Sequence, residues 1–303
     1  MLKLDPQYTS NLVKSLDSVQ ASQQQLTNQI SSGLRVNSLS DDPAAAGENV
    51  VLLNKIQQDD TFTQTSNVVK GQLQVADTTL GSVVSELTTA ISYATSANNG
   101  TLNSSNVKTI ATQLQGILAE VQSLANTSYQ GSYIFAGTNT GTAPFTTSST
   151  SSPNVTTYSG NSDVNSITTP NGQQIQLNVP GNQIFLGSGT NSVFGALNAL
   201  IADYSSGTVD SATAVADTTS LNTALNYVSQ QRVSIDSSIN QLSAANDAAT
   251  TEKTQLTSTQ TDLMQADVAS LSTKLSLAET QSSALESVIT QLESASNSLF
   301  SKL

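Results

Sequence analysis

Both ends of this 303-residue chain carry the apolar spacing of long coiled-coil helices. Near the N-terminus, an apolar seam alternates steps of four and three residues, and its apolar members are Leu12, Leu16, Val19, Leu26 and Ile30. The same alternation returns between 268 and 299, with Leu271, Leu275, Leu285, Ile289, Leu292 and Leu299. This spacing aligns the side chains on one side of an α-helix. Because a thin seam stabilises a helix only by packing, we predict that both ends pair with each other and with copies of the chain, and that these residues form a subunit interface.

In the middle of the chain, the pattern of apolar residues changes from helical to strand-like and back to helical. Three stripes of helical period run from 73 to 91, from 107 to 124 and from 228 to 242. Between about 129 and 190, Gly, Pro, Asn, Thr and Ser separate the short strand candidates "SYIFAG", "VTTYSG", "IQLNV" and "NQIFLG", with "PGN" as a hairpin turn between the last two. "TTSSTSSP" predicts a loop, and "VFGALNALIADY" predicts a return to helix.

This order predicts a mainly α fold with a small β-rich insertion. The predicted parts are a terminal coiled coil formed by both chain ends, a long helical rod and an outer β domain. We assign 1–33 plus 265–303 to the coiled coil, 34–131 plus 211–264 to the rod, and 132–210 to the β-rich domain.

The stretch "GLRVNSLSDDPAAAG" predicts a joint between two helices, made by Gly33, Arg35, Asp41, Asp42 and Pro43. Gly33 suits the position just past a helix C-terminus, and Pro43 suits the first turn of the next helix, with Asp42 as its cap. The alternative is a cation site or an acid–base carboxylate pair. A calcium loop needs oxygen ligands at alternate positions, whereas alanines follow Pro43 here, which favours the joint.

Composition excludes several classes of function. The formal charge is −12 and neither Cys nor His occurs, so Cys-ligated zinc, HExxH zinc and Ser-His or Cys-His catalysis are impossible. The acidity disfavours nucleic acid and anionic lipid as partners. No apolar run is long enough to span a membrane, and we expect no cleaved secretory signal, because "MLKLDPQYTSNLV" lacks the apolar core of one. The only arginines, Arg35 and Arg232, are predicted to reach carboxylates or helix-end carbonyls; we predict no metal, no cofactor and no enzyme activity.

Three segments together resemble the flagellin superfamily, in particular its hook–filament junction branch: "ISSGLRVNSLSDDPAAAGENVVLL", "GSYIFAGTNTGTAPF" and "LSLAETQSSALESVITQLESASNSLF". Beyond the joint residues, the matched positions are Tyr133, Phe135, Gly137, Pro144, Phe145 and the leucines of the C-terminal seam. Two departures from filament flagellins, the Pro after Asp42 and the ending "LFSKL", favour the junction branch.

The resemblance implies a structural protein of the bacterial flagellum. Its implied partners are copies of itself, an adjacent hook-associated protein, flagellin, a cytoplasmic export chaperone at the C-terminal helix and the flagellar secretion apparatus. The implied location is extracellular, at the junction between hook and filament. A flagellin that forms the filament itself remains an alternative, as does a surface adhesin or fibre protein.

Overall fold

The computed structural model describes residues 6–99, 102–148, 155–187 and 192–300. Over these residues the chain is mainly helical, as predicted. The helices are α1 (Pro6–Ser32), α2 (Pro43–Asn98), α3 (Ser104–Ala125), α4 (Val193–Ser205), α5 (Ser211–Met264) and α6 (Val268–Phe300).

The strands are short and lie between α3 and α4. They are β1 (Ser128–Tyr129), β2 (Ser132–Tyr133), β3 (Phe145–Ser148), β4 (Val155–Tyr158), β5 (Ser166–Thr168) and β6 (Gln174–Gln176). Each strand pairs with its neighbour in sequence, which gives three antiparallel ribbons within the described residues. The predicted small β-rich insertion in a mainly α chain is therefore confirmed.

The chain divides into two compact units. The first consists of Met1–Gln58 and Glu252–Leu303, and the second is Asp59–Thr251. The first unit contains α1 and α6 with the beginning of α2 and the end of α5, and the second contains the remaining helices and all the described strands. The division into three domains stays a prediction.

The second unit encloses the main apolar core. The helical stripes predicted from the sequence supply much of it, because a spacing of three and four residues turns one side of each helix inward. The buried members include Leu80, Leu87, Leu114, Val121 and Leu242. The core of this unit is thus assembled from α2, α3, α4 and α5 together with the β-rich insertion.

Aromatic rings fill the centre of the β-rich insertion. Phe145 lies with its ring centroid 5.3 Å from those of Phe185 and Phe194 and 5.1 Å from that of Tyr158. Phe135 meets Phe185 edge to face, also at 5.3 Å. These separations and tilts are those preferred by packed aromatic side chains, so the rings anchor the insertion to α4.

One of the four strand predictions holds in large part, and two others hold for two residues each. β4 covers "VTTY", and β6 covers the "IQ" of "IQLNV". In "SYIFAG" only the first two residues form a strand; the chain turns from Ile134 onward, and Gly137 in this turn has a φ of +70°. "TTSSTSSP" begins inside β3, and its last residues lie outside the described part of the chain.

The strand predicted at "NQIFLG" and the hairpin predicted at "PGN" are wrong. Asn182–Leu186 form a π-helical turn, closed by Gly187, whose backbone N–H donates to the carbonyl of Asn182 at 3.0 Å. Ile184 and Phe185 are consecutive and both fully buried. A strand would point consecutive side chains to opposite faces, whereas a helical turn can direct both into one core.

Candidate assembly interface at the chain ends

The two ends of the chain pack against each other as α1 and α6. The helices run in opposite directions. The end of α1 meets the start of α6, where the Ala266 N–H donates to the Gly33 carbonyl at 3.0 Å, while mid-helix residues Gln23 and Ser282 line one groove. The predicted pairing of the chain ends is thus present within one subunit.

The seam residues of α1 all remain half-buried, and this holds for Leu12, Leu16, Val19, Leu26 and Ile30. On α6 the seam is fully buried only near its start and middle, at positions 271, 278 and 282. Four further seam positions, 275, 285, 289 and 292, are half-buried, and the side chain of Leu299 lies outside the described part. One α1–α6 pair therefore leaves much of its apolar surface in contact with water.

The middle of the seam is polar. Ser282 is only 7% exposed, and its hydroxyl donates to the Glu286 carboxylate at 3.3 Å. Gln23 lies beside it in an open groove of about 610 Å³ that Asp17 and Thr27 also line. A polar position in an apolar seam costs stability and favours one alignment of the helices.

The joint residues form the loop between the end of α1 and the start of α2, together with the helix ends on either side. Gly33 adopts a φ of +69° directly after α1, a conformation that favours glycine. Pro43 is the first residue of α2, and the carboxylate of Asp42 accepts the Ala45 N–H at 3.0 Å as a helix cap. The carboxylate of Asp41 accepts the N–H groups of Asn37 and Ser38, which holds the intervening loop.

Arg35 ties this loop to the end of α5. Its guanidinium donates to the Asp42 carboxylate at 2.9 Å and to the carbonyl of Leu263 at 3.1 Å. A backbone bond of 2.7 Å from the Arg35 N–H to the Met264 carbonyl lies alongside. Arg35 therefore reaches both kinds of partner expected from the sequence, a carboxylate and a helix-end carbonyl.

The carboxylates of the joint are stabilised in their ionised form. The N–H groups of Ser38 and Asn37 hold the pKa of Asp41 below its usual value, and the N–H of Ala45 followed by the guanidinium of Arg35 lowers that of Asp42. Both carboxylates thus serve as hydrogen-bond acceptors. A general acid or base for chemistry near neutral pH would need the opposite shift.

Sequence reasoning did not identify the buried apolar residues of the joint. Val36 is 3% exposed, and Ala45 and Ala266 are also buried. Val36 lies in a loop whose sequence has neither helical nor strand periodicity, so the spacing of apolar residues could not predict its burial. The second arginine, Arg232, lies in the other unit and binds Asp77 with two bonds of 2.8 and 3.1 Å, again a carboxylate partner.

The described residues contain no group of three or more His, Cys, Asp or Glu side chains that could hold a metal ion. Among those same residues, no helix has the length and apolar character needed to cross a bilayer.

Comparison with known proteins shows which class of protein the chain resembles. Residues 6–140 match the bacterial flagellin N-terminal helical region. Flagellar hook-associated protein 3 of Salmonella typhimurium is 37% identical over 127 residues, 42% of this chain and 40% of the relative. The same protein of Escherichia coli is 36% identical over 143 residues, 46% of this chain and 44% of the relative. The match thus spans less than half the length of these curated relatives.

Solved structures share the fold. A flagellar hook-associated protein from Vibrio parahaemolyticus superposes with a TM-score of 0.66 at 24% identity, covering 74% of this chain and 100% of its own. Hook-associated protein 3 of Legionella pneumophila gives a TM-score of 0.62 at 15% identity, covering 70% of this chain and 98% of its own. The resemblance to the flagellin superfamily is confirmed. Both curated relatives that the chain resembles in sequence are hook-associated protein 3.

Proposed function

We propose that the protein is a structural subunit of the bacterial flagellum and forms a layer that joins the hook side to the filament. The observation that carries this proposal is the pairing of α1 with α6, whose seam stays half-exposed in a single subunit. The shared fold of hook-associated proteins supports the same role. No catalytic chemistry is part of this function.

Assembly is driven by completing the burial of the seam. A half-buried leucine such as Leu275 or Leu285 gains about 1 kcal/mol when a neighbouring subunit covers the rest of it. Gains of this size are small singly, but they accumulate along two helices. The ends of the chain therefore become fully ordered when copies supply the missing surface.

The partners follow from this position in the flagellum. Copies of the chain lie side by side in the layer, an adjacent hook-associated protein meets one axial face, and flagellin meets the other. Before assembly, a cytoplasmic chaperone covers the C-terminal helix α6, and the flagellar secretion apparatus exports the chain unfolded. The chain has no cysteine that could form a disulfide during this passage, and it functions outside the cell.

Electron microscopy of a strain that lacks the gene tests the role directly. We expect hooks without filaments, with flagellin shed into the medium, and restoration of filaments when the gene is returned. A complete hook and junction that lacks only the filament would identify the chain as flagellin instead. Normal filaments in the deletion strain would exclude both roles.

A pair of substitutions tests the seam itself. Replacing Leu285 and Ile289 together with Asp places charge at two half-buried seam positions, so we expect loss of incorporation into flagella while the second unit unfolds as in the wild type. The matched control replaces Ser283 and Ser287 with Asp, since both are exposed α6 positions with the same spacing. Normal incorporation of the Leu285→Asp/Ile289→Asp protein would show that the seam is not the interface.

A further inference from the structure

The helices of the second unit carry threonines on their exposed sides, outside the core. Six of them lie well inside α2, α3 and α5, and we call them the exposed threonines: Thr65, Thr78, Thr88, Thr89, Thr112 and Thr219. Threonine is a weak helix former, because its branched side chain loses freedom against the preceding turn. At an exposed helix position, alanine, glutamate, lysine or glutamine would give a more stable helix.

The hydroxyl groups of the exposed threonines bond within their own helices. Each donates to the backbone carbonyl four residues earlier, over distances of 2.7 to 3.1 Å. A bond of this kind slightly destabilises a helix and often bends it. Because a hydroxyl has one proton to donate, these groups donate no hydrogen bond from one helix to another. The exposed threonines therefore weaken their helices without linking them.

Charged side chains offer these helices little support in return. Charged residues make up only 11% of the chain, so few ion pairs can form between residues four positions apart on an exposed helix face. The helices of the second unit are therefore stabilised mainly on their buried sides, where Leu80, Leu87 and Leu242 lie. Their exposed sides contribute little.

The second unit must be unfolded for the export that the proposed function includes. Leu80, Leu87 and Leu242 are fully buried, so a subunit that folds before export has to open a closed core again. The free energy of unfolding sets the fraction of chains that are open at any moment. Weak exposed helix faces lower this free energy, while the buried residues that specify the fold stay the same.

We propose that the exposed threonines keep the second unit easy to unfold, so that the flagellar secretion apparatus receives an open chain. This inference rests on the proposed function, because it names residues that let a unit with a closed core be exported. The side chains act through their low helix propensity and not through recognition of their hydroxyl groups. None of them belongs to the seam of α1 and α6, so assembly is left unaffected.

Substitution of all six exposed threonines with alanine tests the first step. Each change should raise the ratio of folded to unfolded chains about twofold through helix propensity, so that six together raise it about sixtyfold. The matched control replaces the same six residues with serine, whose helix propensity is close to that of threonine, and its ratio should stay near that of the wild type. Urea denaturation of the purified full-length chain measures all three proteins.

Export is then measured in the deletion strain, as the fraction of each protein that reaches the medium and the flagella. We expect this fraction to fall several-fold for the six-alanine protein and to stay at the wild-type level for the six-serine protein. Adding Leu242→Ala to the six-alanine protein opens the core and lowers its stability again. That addition should restore export.

Three results would overturn the inference. One is a six-alanine protein that is no more stable than the wild type. Another is a six-alanine protein that is more stable by the expected factor and is still exported at the wild-type level. The third is an export defect that Leu242→Ala does not relieve although it lowers stability, because the defect would then have a cause other than resistance to unfolding.

A comparison of the wild-type chain in two strains separates this inference from the proposed function. If the wild-type chain leaves the cell only when the flagellar secretion apparatus is intact, any of the three results above concerns the exposed threonines alone. If the wild-type chain is retained in the cell, or leaves it equally well without that apparatus, the proposed function fails, and the inference that rests on it fails too.

Discussion

The two units differ sharply in how completely they bury their apolar residues. The second unit encloses a large core in which whole aromatic side chains such as Phe145, Phe185 and Tyr204 are fully buried. In the described part of the first unit, the buried apolar residues are Val36, Ala45, Leu52, Ala266, Leu271 and Ala278. None of these is aromatic, and half of them are alanines.

This difference in burial indicates that the two units have different roles. We expect the second unit to be stable in a single subunit, because its apolar core is large and fully buried. The first unit spreads its apolar residues along helix faces that stay partly exposed, and we expect this arrangement to gain stability when a partner covers them. Apolar residues make up only 37% of the chain. They form a closed core in the second unit, whereas the apolar seam of the first unit is only partly buried.

The largest expected effect comes from opening the core of the second unit. Phe194→Ala removes a ring that packs 5.3 Å from Phe145, so the free energy of unfolding should fall by about 3–5 kcal/mol. The matched change in the first unit, Leu275→Ala, truncates a half-buried side chain and should cost about 1 kcal/mol or less in the monomer. Urea denaturation of the purified monomer measures both. An equal cost for the two substitutions would show that the first unit has a complete core of its own.

A smaller effect is expected from a carboxyl group of the second unit. Burial, followed by the charge of Asp203 and a hydrogen bond with it, raises the pKa of Asp217 to about 6. A raised pKa favours the protonated group, so its contribution to stability is present below about pH 4 and is lost as the pH rises through about 6. Asp217→Asn should therefore remove this pH dependence and stabilise the protein by about 1 kcal/mol at pH 7, after allowance for solvent screening.

Denaturant unfolding at pH 4, 5, 6 and 7 checks this expectation. The control is Asp210→Asn, since bonds from Thr213 and Ala212 hold the pKa of Asp210 below its usual value. That substitution should not stabilise the protein at pH 7. Unchanged pH dependence in the Asp217→Asn protein would contradict the role given to the pair of carboxyl groups.

The smallest effects concern two glycines of the first unit that differ in backbone conformation. A Cβ atom would meet nothing within 4 Å at either Gly33 or Gly47, so packing is not involved. Gly33 has a φ of +69°, and Gly33→Ala should destabilise by about 1 kcal/mol through backbone strain. Gly47 lies inside α2, and Gly47→Ala should stabilise by about 0.5–1 kcal/mol through helix propensity. Thermal melting followed by circular dichroism compares the two, and shifts of the same sign would refute this account.

Much of the fold was predictable because a long helix repeats the three- and four-residue spacing of its apolar residues many times. The stripes that include Leu80, Leu114 and Leu242 are buried as their spacing predicts. The β-rich insertion was harder, since each strand is too short for alternation to be distinguished from a turn. The π-helical turn at Asn182–Leu186 depends on burying two consecutive side chains in an aromatic cluster, and no local pattern records that cluster.

The candidate interface was predictable where its interactions are local. Gly33 and Asp42 act within four residues of their own helix ends, and their residue types indicate those positions. The bond from Arg35 to the carbonyl of Leu263 joins residues 228 positions apart, which no spacing rule can reveal. The spacing of the seam identifies its side chains but not how many partners cover them, so the half-buried state of Leu285 could be learned only from the structure.

Two backbone hydrogen bonds, between Arg35 and Met264 and between Ala266 and Gly33, determine how the two ends of the chain align. Coiled-coil helices with a thin apolar stripe can slide by one heptad and regain similar contacts, which leaves several near-equal alignments. Here a shift of either helix would break the backbone bonds from Arg35 to Met264 and from Ala266 to Gly33. These backbone bonds thus fix the axial alignment of α1 and α6 within the subunit.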